Sequence, residues 1–410
     1  MRGGMPYQGD NHGEGKMTQA WVGQRVAANG DEAVAMAVKQ SDVDVVAAYP
    51  ITPQTIIVEK LAEYVADGEF KGEFVAVESE HSALSACLGA SLAGCRVFTA
   101  TSSQGLALMH EIMYNVAGMR LPVVMAVANR ALSAPIILNA DHGDMMGSRD
   151  SGWIQVYAES VEEVYDRTIQ LFKLSERPDV MLPSAVNFEG FIISHSTEAL
   201  RPISEESSTK WLGRPKFKHR LDPENPESFG AIATPDNYYE FKMQQVRAME
   251  DALKAFSEVE AEYQAISGRR YGAVGEYNVE SADYVAIVSG SAAGTLRTAA
   301  KDLNSKGANV GVLSVKLFRP FPSEQVLRLV KGSKGIVVMD RSLSIGAPFG
   351  PLASDVKSII DEAGLDVPAL AVVYGIGGRD FSVSDAKKVF AMAADPARRG
   401  GGTVFYGVRE

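Results

Sequence analysis

Through the first half of the chain, runs of apolar and β-branched residues alternate with stretches of helical period. VDVVAAYPI (43–51), FVAV (74–77), RVFTATSS (96–103), LPVVMAVANR (121–130) and VMLPSAVNF (180–188) read as strands. TIIVEKLAEYVADG (55–68), residues 81–93, GLALMHEIMYNVAGM (105–119) and SVEEVYDRTIQLFKLSE (160–176) read as the helices that join them. A strand apolar at every position, rather than at every second one, has both faces covered. Joined by helical crossovers, such strands form a parallel sheet. The pattern lapses after residue 200 in a segment rich in Pro, Ser and charge, RPISEESSTKWLGRPKFKHRLDPENPESFGAIATPDNYYE. It resumes at YVAIVSGS (284–291), with helix 292–305, strand ANVGVLSVKLF (308–318), a helix near 323–331, GIVVMD (335–340), a helix near 350–363 and ALAVVYGIGG (369–378). The expected fold is α/β with two doubly wound domains. The predicted organisation is a flexible arm at 1–19, an α/β domain at 20–200, an extended linker plus a polar helix (238–267) within 201–280, and a second α/β domain at 281–410.

Composition narrows the function. The 410 residues exceed what one hydrophobic core organises. A net charge of −11 disfavours nucleic acid or an anionic membrane as the main partner. No apolar run approaches the roughly 20 residues of a membrane span. The polar, Gly-rich start MRGGMPYQGDNHGEGKMTQAW lacks a signal-peptide core, so a cytoplasmic location is expected. The two cysteines, Cys87 and Cys95, fall short of the ligands of an iron–sulfur cluster and form no CxxC; they read as buried structural thiols. The chain is expected to carry no redox centre and no metal of its own.

Three loops sit at the C-terminal ends of predicted strands, where open α/β sheets bind ligands. In YPITPQT (49–55), two prolines stiffen a turn that presents the Thr52 hydroxyl, and Thr55 is placed to cap a helix. TATSSQGLALMHE (99–111) brings three hydroxyls, an amide and a glycine to a helix start, more polarity than a cap needs. In VANRALSAPIILNADHGDMMGSRDSGW (127–153), Arg130 leaves a strand that should be buried. A guanidinium there needs an anion, either an internal carboxylate or one from a substrate. Asp141, His142 and Asp144 are spaced too loosely for a convincing metal site. GSAAGT (290–295) and GIGG (375–378) follow strands but match neither GxGxxG nor a phosphate-binding P-loop; they read as tight turns.

A fourth junction is FVAVESEHSALSACLGA (74–90). Glu78 and Glu80 are two apart and point the same way in extended chain. Glu80 stands at a helix start, where the dipole favours a carboxylate. The helix behind it is built of Ala, Ser and Gly, slim enough for a partner subunit or a flat ligand to come close. A carboxylate enclosed there would suit proton exchange with a nitrogen heterocycle.

Together YPITP (49–53), ESEHSA (78–83), TSSQGLALMHE (101–111), NRALSAP (129–135) and RDSGWIQ (149–155) closely resemble the alpha subunits of the thiamine-diphosphate-dependent 2-oxoacid:ferredoxin oxidoreductases, above all those of the pyruvate-specific branch. The resemblance runs over about residues 20–200 and returns at LFRPFP (317–322), VMDRS (338–342) and YGIGGRD (374–380). It implies a thiamine-diphosphate pyrimidine-binding-type domain followed by a transketolase C-terminal-like domain. It further implies a beta subunit carrying the diphosphate, Mg²⁺ and an iron–sulfur cluster, and gamma and ferredoxin-like delta subunits that supply further clusters and the link to coenzyme A and ferredoxin. By the same resemblance Glu80 hydrogen-bonds N1′ of the aminopyrimidine, Thr52 contacts the 2-oxoacid and Arg130 holds its carboxylate. Pro50, Ile51, Glu80 and Arg130 are then cofactor-contacting positions, and Glu80, Thr52 and Arg130 the catalytic set. The reaction implied is the reversible conversion of pyruvate, coenzyme A and oxidised ferredoxin to acetyl-CoA, carbon dioxide and reduced ferredoxin. Its alternatives are another 2-oxoacid (2-oxoglutarate, branched-chain or oxalate) or half of a non-redox transketolase-type enzyme.

Overall fold

Parallel strands need a crossover between them, and the alternating pattern provides one each time. The computed structural model describes residues 23–217, 219–395, 397 and 402–409, so the expected arm at 1–19 lies outside the described residues. In chain order the elements are β1 (Val26–Ala28), α1 (Gly30–Lys39), β2 (Val45–Ala48), α2 (Thr55–Ala66), β3 (Glu73–Ala76), α3 (Glu80–Leu92), β4 (Val97–Thr101), α4 (Ser103–Gly118), β5 (Val124–Asn129), α5 (Gly143–Gly147), β6 (Ile154–Tyr157), α6 (Val161–Ser175), β7 (Ser184–Glu189) and β8 (Glu198–Leu200). There follow α7 (Glu205–Leu212), α8 (Pro235–Ser267), β9 (Val274–Tyr277), β10 (Tyr284–Val288), α9 (Ala292–Ser305), β11 (Val310–Val315), β12 (Leu317–Arg319), α10 (Ser323–Val330), β13 (Gly335–Asp340), α11 (Pro351–Glu362), β14 (Ala369–Val373), α12 (Val383–Ala394) and β15 (Val404–Phe405).

Among the described residues two large sheets form. The first runs β12-β6-β7-β5-β4-β2-β3 and the second β15-β14-β13-β10-β11-β9. The first is parallel except for β12, which lies antiparallel to β6; the second is parallel except for β9, antiparallel to β11. β1 and β8 pair in a small antiparallel ribbon. Strands β4, β5 and β7 are buried at every position, as their unbroken apolar runs require. The edge strand β3 is largely exposed, although FVAV is as apolar as its neighbours.

Two segments behave differently from their local pattern. ANVGVLSVKLF reads as one strand but divides at Lys316: β11 stays in the second sheet and β12 crosses to the first. The buried Lys316 ammonium contacts Glu163 at 2.6 Å and Glu159 at 3.0 Å, both at the start of α6, and this pairing draws the chain across. Within 201–280, α7 forms and the 33-residue α8 packs its Ala248, Ala252, Ala255, Phe256, Val259 and Tyr263 into the core of the first sheet's helical layer. Its charges lie on the outward side, all but Glu260, which is buried and accepts from Arg167 of α6 at 2.6 Å; just past the helix end Arg269 donates to Asp166 of α6 at 2.6 Å. Removing either partner of such a buried pair costs far more than a surface ion pair is worth. β6 is a four-residue strand hidden between a Gly-rich loop and α6, too short for periodicity to reveal.

Candidate active site

In the first sheet the chain passes from β2 outward to β3, then returns to the other side of β2 as β4. The reversal of strand order opens a crevice outside the C-terminal ends of β2 and β4, the position where doubly wound sheets take their ligands. The loop after β2 carries Tyr49–Gln54. The loop after β4 carries Thr101–Ser103, and α3 brings Glu80 over the same edge.

Glu80 opens α3. Ser79 is the N-cap, its side chain accepting from Ser82 N, which leaves the Glu80 carboxylate free of capping duty. Glu80 is 7% exposed, yet no hydrogen bond or ion pair from its side chain to another described residue is formed. It lies against Gly105 in the first turn of α4. A Cβ placed on Gly105 would fall 2.6 Å from Glu80 Oε1 and 2.5 Å from Thr101 Oγ1. The Thr101 hydroxyl is itself buried without a partner. Glu78 goes elsewhere. Because the helix begins at residue 80, the two carboxylates do not share a face, contrary to the extended-chain expectation. Glu78 is exposed and accepts a short hydrogen bond from Ser82 Oγ, which holds its carboxyl below the usual range. His81 is half-exposed, 3.9 Å from Glu111, and does not cap the helix.

Arg130 leaves β5, 6% exposed. Its Nη1 donates to Thr52 O at 2.9 Å and its Nε to Ile137 O at 3.1 Å. No described carboxylate forms an ion pair with the guanidinium; its hydrogen bonds go to backbone carbonyls. Burial pulls its pKa below the ordinary arginine value, the nearby Asp144 acting against that. Thr52, Pro50 and Tyr49 are exposed at the lip, and Ile51 is half-buried. Asp144 joins the loops from below. Its Oδ2 accepts from Arg130 N and Ser103 N, both at 3.0 Å, and its Oδ1 from Asn129 Nδ2 at 2.8 Å and Met145 N at 2.7 Å. Burial raises its pKa, and these four donors work against the rise. The backbone N–H at the start of α4 is therefore taken by an internal carboxylate. Ser103 sits there at φ +48°, a costly backbone for serine that the two loops hold in place. Asp144, Gly105 and Thr101 escaped sequence reasoning as parts of the site; the polar excess of TATSSQG was the available signal.

Two family models match the chain. Residues 36–261 match pyruvate flavodoxin/ferredoxin oxidoreductase, thiamine diphosphate-binding, and residues 282–386 match pyruvate:ferredoxin oxidoreductase core domain II. The chain belongs to the pyruvate flavodoxin/ferredoxin oxidoreductase family. Among its relatives are the pyruvate synthase subunit PorA of Thermotoga maritima, 47% identical over 91% of this chain and 95% of the relative, and that of Methanocaldococcus jannaschii, 46% over 88% and 92%. The ketoisovalerate oxidoreductase subunit VorA of Pyrococcus abyssi is 44% identical over 88% and 91%. A solved 2-oxoglutarate:ferredoxin oxidoreductase from Magnetococcus marinus, with 2-oxoglutarate, coenzyme A and succinyl-CoA bound, superposes with a TM-score of 0.72 at 20% identity over 90% of this chain. The present chain spans 65% of the length of that one. A split-gene transketolase superposes at 0.53 and 13% identity, covering 89% of this chain and 97% of that one. Both structural likenesses concern fold.

In this oxidoreductase subunit the second sheet has its own strand-order reversal, between β10 and β13. Glu189, at the end of β7 in the first sheet, fills it. Its carboxylate accepts from Ser291 N at 2.9 Å, lies 3.2 Å from His142 Nε2 and leaves no room for a Cβ on Gly290, whose φ is +79°. Burial would raise the Glu189 carboxyl; His142, Arg341 and Ser291 together hold it below the ordinary value. The GIGG turn docks on the same loop, Gly378 N donating to Ala140 O at 2.7 Å and Gly377 N to Asp141 Oδ2 at 3.3 Å. Asp141, His142 and Asp144 thus serve docking and loop support. No group of three or more His, Cys, Asp and Glu among the described residues is placed to hold a metal ion. Cys87 is buried and Cys95 only partly so, which corrects the reading of both as buried. No helix among the described residues is long and apolar enough to cross a membrane.

Proposed function

We propose that this chain is the subunit of a pyruvate:ferredoxin oxidoreductase, a pyruvate synthase, that supplies the pyrimidine side of a shared thiamine diphosphate site. The observation that carries the reading is Glu80: an almost enclosed carboxylate with no partner among the described residues, at a strand-order reversal, beside a hydroxyl likewise without one. A lone buried carboxylate is costly unless a ligand donor completes it. N1′ of an aminopyrimidine is such a donor once protonated, and Glu80 is the group that would hold a proton there. Bound thiamine diphosphate would supply the electron sink for breaking the bond between the carboxylate and carbonyl carbons of a 2-oxoacid. Arg130, already tied to the Thr52 carbonyl and lacking a carboxylate of its own, would take the substrate carboxylate. The Thr52 hydroxyl at the lip would meet its keto oxygen, and Pro50 and Ile51 would wall the cofactor.

The crevice lies beside the largely exposed edge strand β3 and the half-buried outer side of α3, which supports completion by a second chain. That chain is the proposed beta subunit, bearing the diphosphate with Mg²⁺ and an iron–sulfur cluster; gamma and delta subunits, coenzyme A and ferredoxin complete a cytoplasmic complex. Pyruvate is favoured over a branched-chain acid by the relatives, six of which at 40–47% identity are named for pyruvate synthase. The 44% identity to a ketoisovalerate subunit makes the substrate panel necessary. The test is viologen reduction by the purified complex with coenzyme A and either pyruvate or 3-methyl-2-oxobutanoate. Glu80→Gln should lower the rate about 10²-fold or more. Full activity in that variant would remove Glu80 from the mechanism, a higher kcat/KM for the branched acid would reassign the substrate, and a colourless complex without viologen reduction would favour a transketolase-type enzyme.

A further inference from the structure

Gly105 has no conformational need to be glycine. It lies inside α4, and no positive φ requires it there. In such a position glycine costs a helix roughly 0.5–1 kcal/mol relative to alanine. What it provides is space. A Cβ at this point would meet two oxygens, Glu80 Oε1 and Thr101 Oγ1, and also Glu80 Cγ at 2.8 Å. All three distances are shorter than side-chain carbons tolerate. The neighbours cannot all yield. Thr101 is the last residue of the fully buried β4 and its χ1 is restricted by branching. Glu80, the longer and less restricted side chain, is the one with freedom to move.

We infer that Gly105 is a positioning residue for Glu80: it sets the depth at which the carboxylate rests, and any side chain at 105 drives the carboxylate out of its place. The inference rests on the reading of Glu80 given above. Gly118, at the other end of the same helix, is the natural control, because a Cβ there meets nothing within 4 Å.

The test uses the complete complex depleted of thiamine diphosphate. Binding of thiamine diphosphate is followed by calorimetry, turnover by viologen reduction and folding by the thermal midpoint. Gly105→Ala should raise the cofactor Kd and lower turnover by about tenfold or more, since displacement of a reacting group by about 1 Å can cost up to 10²-fold. Its thermal midpoint should fall modestly, because the added Cβ also crowds the buried Thr101 hydroxyl. Gly118→Ala should match the parent in binding and turnover. In the double variant Glu80→Gln with Gly105→Ala, the second change should add little to the first, which is the mark of one residue acting through the other. Parent-like binding and turnover in Gly105→Ala would overturn the inference. So would a fully additive double variant, which would make the glycine a packing residue that does not act through Glu80. Failure of the underlying reading shows separately, as parent-like behaviour of Glu80→Gln alone.

Discussion

The two domains share one architecture and use its crevice in opposite ways. Each sheet has a strand-order reversal among its central strands, between β2 and β4 in the first and between β10 and β13 in the second. In the first, the carboxylate at the crevice has no protein partner. In the second, Glu189 from the first domain is inserted against Ser291 N, His142 and Arg341, and the crevice is closed by the chain itself. The same geometric opportunity thus becomes a candidate ligand site in one domain and an interdomain socket in the other. The contrast shows that a strand-order reversal marks where a ligand can bind, while the partners of the buried polar groups decide whether one is needed.

The contrast makes strong demands. Glu80→Gln should cost activity, about 10²-fold or more, with the unfolding midpoint nearly unchanged, because a carboxylate without protein partners contributes little to the fold. Glu189→Ala should do the reverse: it leaves Ser291 N and His142 Nε2 without their buried partner and should cost about 1–3 kcal/mol of stability in denaturant unfolding. If the two variants behaved alike, the distinction between open and plugged crevices would fall. Arg130→Lys should raise the KM for the 2-oxoacid by one to two orders of magnitude, since a lysine cannot keep both backbone carbonyls and still bind a carboxylate in a fork; hydrogen bonds to charged groups are worth about 1.5–3 kcal/mol each. A steady-state comparison with the parent checks it.

A pH series sharpens the second crevice. Burial raises Asp340 to about 6, against the donors Leu352 N and Ala353 N at the start of α11. Its contribution to stability is present below the carboxyl's ordinary value and is lost as pH rises through about 6, an effect of about 3 kcal/mol at most. Glu189, with a depressed pKa, acts oppositely: its contribution holds above the ordinary value and is lost only as pH falls through the depressed one. Asp340→Asn should therefore flatten the decline in thermal midpoint between pH 4.5 and 7.5 without touching the low-pH loss. The smallest effect is chemical. Burial pushes Cys87, on the inner face of α3, up to about 12, so native alkylation at pH 8 should label Cys95 and leave Cys87 at least about 10²-fold slower. Equal labelling would mean that α3 opens and that the wall of the first crevice is not rigid.

Much of this was legible in the residue order, for identifiable reasons. The parallel sheets follow from unbroken apolar runs joined by helical periods, both local signals. The three loops and the acidic junction are local as well, and they drew notice to Thr52, Glu80 and Arg130. What escaped was set by distant contacts. β12 leaves its own sheet where Lys316 finds two carboxylates, Glu159 just before α6 and Glu163 in its first turn. α8 reads as polar because its outward side is charged, while the inner side that packs on the core consists of small and aromatic residues and the single paired acid Glu260. The spacing of Glu78 and Glu80 predicted a shared face, and a helix start between them sent one inward and one outward.

The sequence by itself determined the sheet type, the crossover helices and the family to which the chain belongs, because these depend on periodicity and on short motifs. Only the tertiary structure decided which acids are partnered. Asp144, Glu189 and Glu80 are equally acidic in the sequence. In the fold the first holds two loops together, the second plugs a crevice, and the third is left without a donor, because hydrogen-bond partners come from residues far apart in the chain and burial makes each missing one costly.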